Sequence, residues 1–176
     1  VDARGTVLAS SSIKTQKHSK IEDYINELHE ELTKLIETND ATDKIAGIGI
    51  GAPNANYFTG IISDGVNLPW PTPIPLADLV SEKFGIPVAI TNDANAAAIG
   101  EMTYGAARGM KDFIMITLGT GVGSGIVVNG QMVYGHDGFA GELGHVIMKR
   151  NNGRMCGCGR TGCLETYASA TGVART

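Results

Sequence analysis

Three cysteines, Cys156, Cys158 and Cys163, fall within eight residues of one another, and His145, Glu142 and Glu165 lie in the same glycine-rich stretch, 141–165. Three thiols cannot all pair as disulfides, and thiolates so closely spaced suit a zinc ion. Two sulfurs of a Cys-x-Cys turn reach one ion only if the backbone folds tightly, which Gly157, Gly159 and Gly162 permit. His145 can complete a tetrahedral Cys3His set. Four protein ligands leave no place for water, so such an ion would be structural and would clamp the loop. The competing readings are free surface thiols, an incidental cluster, or a zinc-ribbon nucleic-acid module; the short loop and acidic chain weigh against the last.

Glu142 and Glu165 flank this loop. Two carboxylates held near a fixed ion can accept hydrogen bonds from vicinal hydroxyls, the usual way of gripping a sugar. Each taken alone is equally a solvated surface acid, or, for Glu165, a first-turn charge on a helix. A second group is Thr91-Asn92-Asp93-Ala94-Asn95, at the join of an apolar run and an alanine-rich run. Ligands of parallel α/β sheets sit outside the carboxyl ends of the strands, where Asp93 would serve as a catalytic base. Helix capping explains the same residue types, and spacing leaves both open. The third group is the turn Gly119-Thr120-Gly121-Val122-Gly123. Its backbone amides could cradle phosphate with no side chain in the way. It is not a dinucleotide fingerprint, because no helix follows it.

These groups need elements to carry them. Apolar residues recur at three- and four-residue spacing over 19–39, which predicts an amphipathic helix capped by Ser19. Further helices are predicted over 76–84 and 93–104, with strands over 44–51 and 87–91; alternation of this kind argues for an α/β fold with a largely parallel sheet. After residue 110 the pattern changes to adjacent strands, 112–118, 124–128 and 131–134, with Asn129-Gly130 as a hairpin turn. A helix starts near Tyr167. The chain opens on Val1-Asp2-Ala3-Arg4-Gly5, a hairpin turn whose returning strand would be 6–12. Two lobes are therefore expected, 1–110 and 111–176.

Composition bounds the function. The chain has 176 residues, 43% of them hydrophobic, enough for one domain or for one and part of another. Net charge is −4 and the fourteen Lys and Arg are scattered, so neither nucleic acid nor an anionic membrane is an expected partner. No apolar run approaches the roughly 20 residues of a membrane span, and no secretory signal opens the chain, which points to the cytoplasm. Glycines number 24, about twice the usual share of roughly 7%.

The segments GIGIGAPN, NLPW, NDANAAAIGE, TLGTGVGSGI, AGELGH and CGCGRTGCLE, in this order, resemble the ROK (repressor, ORF, kinase) group of sugar kinases and sugar-responsive repressors. The resemblance covers nearly the whole chain, and the last two segments are highly specific. It implies an actin-like ATPase (ribonuclease H-like) fold of two lobes with a sugar site in the cleft between them. It implies that Asp93 is the catalytic aspartate, that Asn92, Asp93, Glu142, His145 and Glu165 bind the sugar, and that His145, Cys156, Cys158 and Cys163 hold structural Zn2+. Gly119, Thr120, Gly121 and Gly123 match the family's second phosphate-binding loop. The implied activity is phosphorylation of a hexose by ATP with Mg2+, glucose to glucose 6-phosphate first. N-acetylmannosamine, fructose, allose and mannose are the other substrates considered, and a homodimer is the implied assembly.

Two departures from the family pattern lead to the expectation of a fragment, incomplete at both ends and inactive by itself. The first phosphate-binding motif, Asp-x-Gly-Gly-Thr, has no counterpart here, and neither does the adenosine-binding part of the second lobe. Asn54-Ala55-Asn56 follows Pro53 where many relatives have glycine, at one edge of the sugar site. A repressor of the same family, with a helix-turn-helix upstream, and a non-catalytic zinc-stabilised interaction module remain the alternatives to the enzyme.

Overall fold

The computed structural model describes residues 1–64 and 68–175. Asn67, in the Asn-Leu-Pro-Trp segment, lies outside the described residues. The described chain forms helices α1 (Ile21–Thr38), α2 (Leu76–Phe84), α3 (Asp93–Tyr104), α4 (Glu165–Ala168) and α5 (Ala170–Ala174). Its strands are β1 (Ile48–Gly51), β2 (Val88–Thr91), β3 (Phe113–Leu118), β4 (Val122–Val128) and β5 (Gln131–Met132). Contacts divide it into two compact units, residues 1–92 and 93–176.

In the first unit β1 and β2 pair in parallel, Ile48 opposite Val88 and Gly51 opposite Thr91. The short apolar runs become buried strands because helices supply a cover. Ile25 of α1, Leu76, Ala77 and Val80 of α2, and Ile90 of β2 share one core with Ile62, Trp70 and Ile74 of the intervening loop. Trp70 is 7% exposed. Its indole N–H donates to the His18 carbonyl at 3.0 Å, so burying the ring strands no polar group.

In the second unit β3, β4 and β5 form an antiparallel sheet in that order. Asn129 and Gly130 both take positive φ, 53° and 75°, the conformation of a tight two-residue hairpin turn. Helix α3 lies directly on β4 because both surfaces are stripped of side chains. A Cβ placed on Gly125 would stand 2.7 Å from Ala98 Cβ and 3.1 Å from the Ala94 carbonyl oxygen. Glycine on the strand and alanine on the helix thus bring the two backbones together, and this seat fixes the helix whose first residue is Asp93.

The sequence reading puts a boundary near residue 110, where connection type changes. The contacts instead group α3 with the strands that follow, because its alanine face packs on β4. Four local expectations are corrected. Residues 6–12 form no strand: Val7 and Leu8 are 68% and 61% exposed, and among the described residues no strand pairs with them, although the turn before them closes through Gly5 N–H to Asp2 O at 2.9 Å. Ser19 does not cap α1; Lys20 holds that position without a side-chain hydrogen bond. The strand expected over 44–51 begins only at Ile48, after a turn of 3-10 helix at Thr42–Lys44. The last helix starts at Glu165 and breaks at Ser169, whose hydroxyl accepts from Gly172 N–H at 3.0 Å and caps a second short helix.

Gly125→Val forces a branched side chain into the helix seat. Chemical denaturation is expected to show a loss of about 1–3 kcal/mol, the usual range for overpacking a core position.

Candidate active site and metal cluster

The metal-ligating candidates converge. The donor atoms of His145, Cys156, Cys158 and Cys163 all lie within 4.8 Å of one another. Cys158 Sγ stands 3.7 Å from Cys163 Sγ, and Cys156 Sγ 3.6 Å from His145 Nδ1. Cys156 and Cys163 are 4% and 0% exposed, while Cys158 faces solvent. Two short bridges, Ile147 with Cys163 and Met155 with Thr161, fold the loop back on itself. The return is tight: Gly162, with φ at 82°, packs so closely that any Cβ would collide with the Lys149 carbonyl. Arg154 fastens the loop to the helices beyond it, donating to the Thr166 and Gly172 carbonyls at 2.8 Å each and lying 4.9 Å from the Tyr167 ring centre. Four such donors, three of them thiols, can hold a metal ion.

The thiols differ in acidity. Hydrogen bonding from the Arg160 backbone is the main cause that brings Cys158 down to about 6, whereas burial pushes Cys156 up, helped by its contact with Glu165. Cys156 Sγ donates to Glu165 Oε1 at 2.9 Å, and the same oxygen lies 3.8 Å from His145 Nδ1. Glu165 therefore borders the cluster directly. On the other side its carboxylate touches the glycine turn, its Oε2 standing 2.8 Å from where a Cβ of Gly121 would be.

Glu142 and Asp93 belong to the same neighbourhood. The Glu142 carboxyl is raised, first by burial, with the negative charges of Asp93 and Glu165 adding to the shift and His145 opposing it. Ser124 of β4 holds this corner: its hydroxyl donates to the Gly141 carbonyl and accepts from Leu143 N–H at 3.2 Å. An open depression of about 970 Å³ is lined by Glu142, His145, Val146, Ile147, Arg150 and Arg160, among others. Asp93 is exposed at the start of α3, its Oδ1 accepting from the Ala94 amide at 2.9 Å. Asn92 is the last residue of the first unit, directly before it. Three carboxylates, an imidazole and the 119–121 turn between β3 and β4 thus share one region of the second unit, beside the thiol cluster.

A family model described as the ROK family matches residues 1–176. The chain belongs to the ROK family. Among curated relatives, the glucokinase of Halalkalibacterium halodurans is 49% identical over 155 residues, covering 80% of this chain and 47% of that protein. The xylose repressor of Caldicellulosiruptor bescii is 40% identical over 126 residues, 71% of this chain and 31% of that protein. Among solved structures, a ROK family glucokinase from Streptomyces griseus in complex with glucose and AMPPNP superposes with a TM-score of 0.81 at 35% identity, over 99% of this chain and 54% of that one. The chain spans about half the length of the glucokinases it matches. Its helices and strands follow the actin-like ATPase fold of the ROK sugar kinases. No helix among the described residues is long and apolar enough to cross a membrane.

Sequence reasoning had no signal for Arg154, Ser124 or Thr171. Their partners are backbone carbonyls and amides 12 to 51 positions away, and only the folded loops bring them near.

Two outcomes are expected. Cys163→Ser removes a fully buried donor: elemental analysis should find the bound metal lost, and a chelator that lowers the melting temperature of the parent should have no further effect on the variant. In ion-free protein the raised Glu142 carboxyl holds its proton more tightly folded than unfolded, so its contribution to stability is complete below the ordinary glutamate value of about 4.3 and is lost as pH rises through the folded value. Glu142→Gln should therefore melt at a higher temperature than the parent at pH 7, and the difference should vanish in acid.

Proposed function

We propose that the protein containing this chain is an ATP-dependent hexose kinase, with glucose as the first substrate and glucose 6-phosphate as the product. The observation that carries this reading is the meeting, in one unit, of Asp93, Glu142, Glu165 and His145 with a glycine turn whose amides can receive phosphate. The structural likeness to a glucokinase holding glucose and AMPPNP supports it.

In this mechanism the Asp93 carboxylate accepts the proton of the sugar 6-hydroxyl as that oxygen bonds to the γ-phosphorus of ATP and the bond to the β,γ-bridging oxygen breaks, releasing ADP. Such transfers depend mostly on positioning and charge neutralisation. Asn92 orients the hydroxyl that Asp93 deprotonates. Glu142, Glu165 and His145 hold the ring hydroxyls, and fixing them excludes sugars whose hydroxyls point elsewhere. Gly119, Thr120, Gly121 and Gly123 present the phosphate-binding backbone. Mg2+ carried with ATP would supply neutralisation of the phosphate charge.

The ion at the thiol cluster is Zn2+. Support comes from spacing: with bonds of about 2.3 Å to sulfur and about 2.0 Å to nitrogen, a tetrahedral zinc would set sulfurs about 3.8 Å apart and sulfur about 3.5 Å from nitrogen. Two observed spacings, 3.7 and 3.6 Å, lie close to these values, and all four donor atoms lie within 4.8 Å of one another. Its work is structural, holding the loop on which His145 and Glu165 sit. A cytoplasmic location suits free thiols, and a homodimer remains part of the proposal through the family.

The similarity to xylose repressors favours one second reading, in which the same pocket senses a sugar without phosphorylating it. A coupled assay of the intact parent protein against a panel of hexoses separates the two. Asp93→Asn is expected to keep glucose affinity in titration calorimetry while kcat falls by about 10²- to 10⁴-fold, the contribution of a positioned general base. Normal turnover by that variant would remove Asp93 from the role.

A further inference from the structure

The glycine turn is held by its carbonyls. Ala170 N–H donates to the Gly119 carbonyl at 2.9 Å, Thr171 Oγ1 to the Thr120 carbonyl at 2.9 Å, and Gly119 N–H to the Gly121 carbonyl at 3.0 Å. Among the described residues, the amides of Thr120 and Gly121 donate to no protein group. A trans peptide is planar, and its C=O and N–H point in opposite directions. Whatever fixes the Gly119 carbonyl therefore aims the Thr120 amide, and whatever fixes the Thr120 carbonyl aims the Gly121 amide. The first anchor is backbone. The second is a single side-chain hydroxyl.

That hydroxyl is itself placed by the segment carrying Glu165. Helix α4 runs from Glu165 to Ala168 and is followed by Ser169, which is 2% exposed; the Ser169 hydroxyl lies 3.1 Å from Thr171 Oγ1 and accepts from the Gly172 amide at 3.0 Å. Cys163, a metal-cluster residue, stands just ahead of Glu165 in the chain, and Arg154 grips both the Thr166 and Gly172 carbonyls. One short segment thus joins the thiol cluster, the acid at its border and the clamp on the turn.

We propose that Thr171 is a positioning residue for phosphate binding: its hydroxyl, through the Thr120 carbonyl, orients the Gly121 amide toward the phosphates of the nucleotide. The segment 163–171 thereby sets the sugar-side acid and the phosphate-side turn in one fixed relation. This rests on the kinase reading above, but it assigns a role to a residue that contacts neither substrate.

The test uses the intact parent protein with Thr171→Val, which removes the hydroxyl at nearly constant volume, and Thr171→Ser, which keeps it. Titration calorimetry with AMPPNP and with glucose reads binding without requiring turnover. Loss of one hydrogen bond should weaken AMPPNP binding and raise the KM for ATP by roughly 3- to 10-fold in the valine variant. Glucose affinity should stay within about twofold, and serine should restore the nucleotide values. Nucleotide affinity unchanged in the valine variant, serine behaving like valine, a lower melting temperature as the sole effect, or a parent that binds no AMPPNP would each overturn the proposal. A parent that binds AMPPNP in this hydroxyl-dependent way yet phosphorylates no hexose would uphold the role of Thr171 and end the kinase reading instead.

Discussion

Convergence of four donor atoms, three sulfurs and one imidazole nitrogen, within 4.8 Å is the constraint on which the rest of the site depends. The loop that carries them is otherwise held by backbone hydrogen bonds across its fold and by the Arg154 clamp. It contains two isolated bridges and several glycines, and a segment so built loses much conformational entropy on ordering. An ion shared by the four donors would offset that cost at one point and fix what is attached to it. His145 belongs both to the cluster and to the lining of the depression, and Glu165 borders the cluster through Cys156, so ion binding there would also place the acidic groups.

A second constraint is the absence of side chains where helix α3 meets β4. Backbones approach closely only where Cβ atoms are missing or minimal, and the strand meets this with glycine, the helix with alanine. Asp93, at the head of that helix, is therefore placed by a backbone contact rather than by its own side chain. Burial first, and the negative charges of Asp93 and Glu165 after it, raise the proton affinity of Glu142, which is unfavourable for folding above the ordinary glutamate range.

Much of the architecture is legible in the chain. Helices α2 and α3 occupy the residues that their apolar spacing indicates, and the Asn129-Gly130 turn forms where the dipeptide says it should, since these depend on neighbours a few residues apart. Misplaced expectations share one cause: residues 6–12 carry the pattern of a strand but meet no partner strand among the described residues, and Ser19 has the chemistry of a cap without the geometry. Pattern states what a segment can do, and a partner decides whether it does.

The sequence by itself determined the inventory: three thiols and a histidine of metal-binding type, acids on either side of them, an aspartate at a strand-to-helix join, and a bare glycine turn, in the order that marks the ROK family. Only the tertiary structure decided that the thiols and imidazole face one point, that Glu165 touches both the cluster and the turn, and that Thr171 holds the Thr120 carbonyl 51 positions away. The physical reason is range. Residue type and local spacing are written along the chain, whereas hydrogen bonds and ligand distances act over a few ångströms between segments that are neighbours only once the loop has folded back.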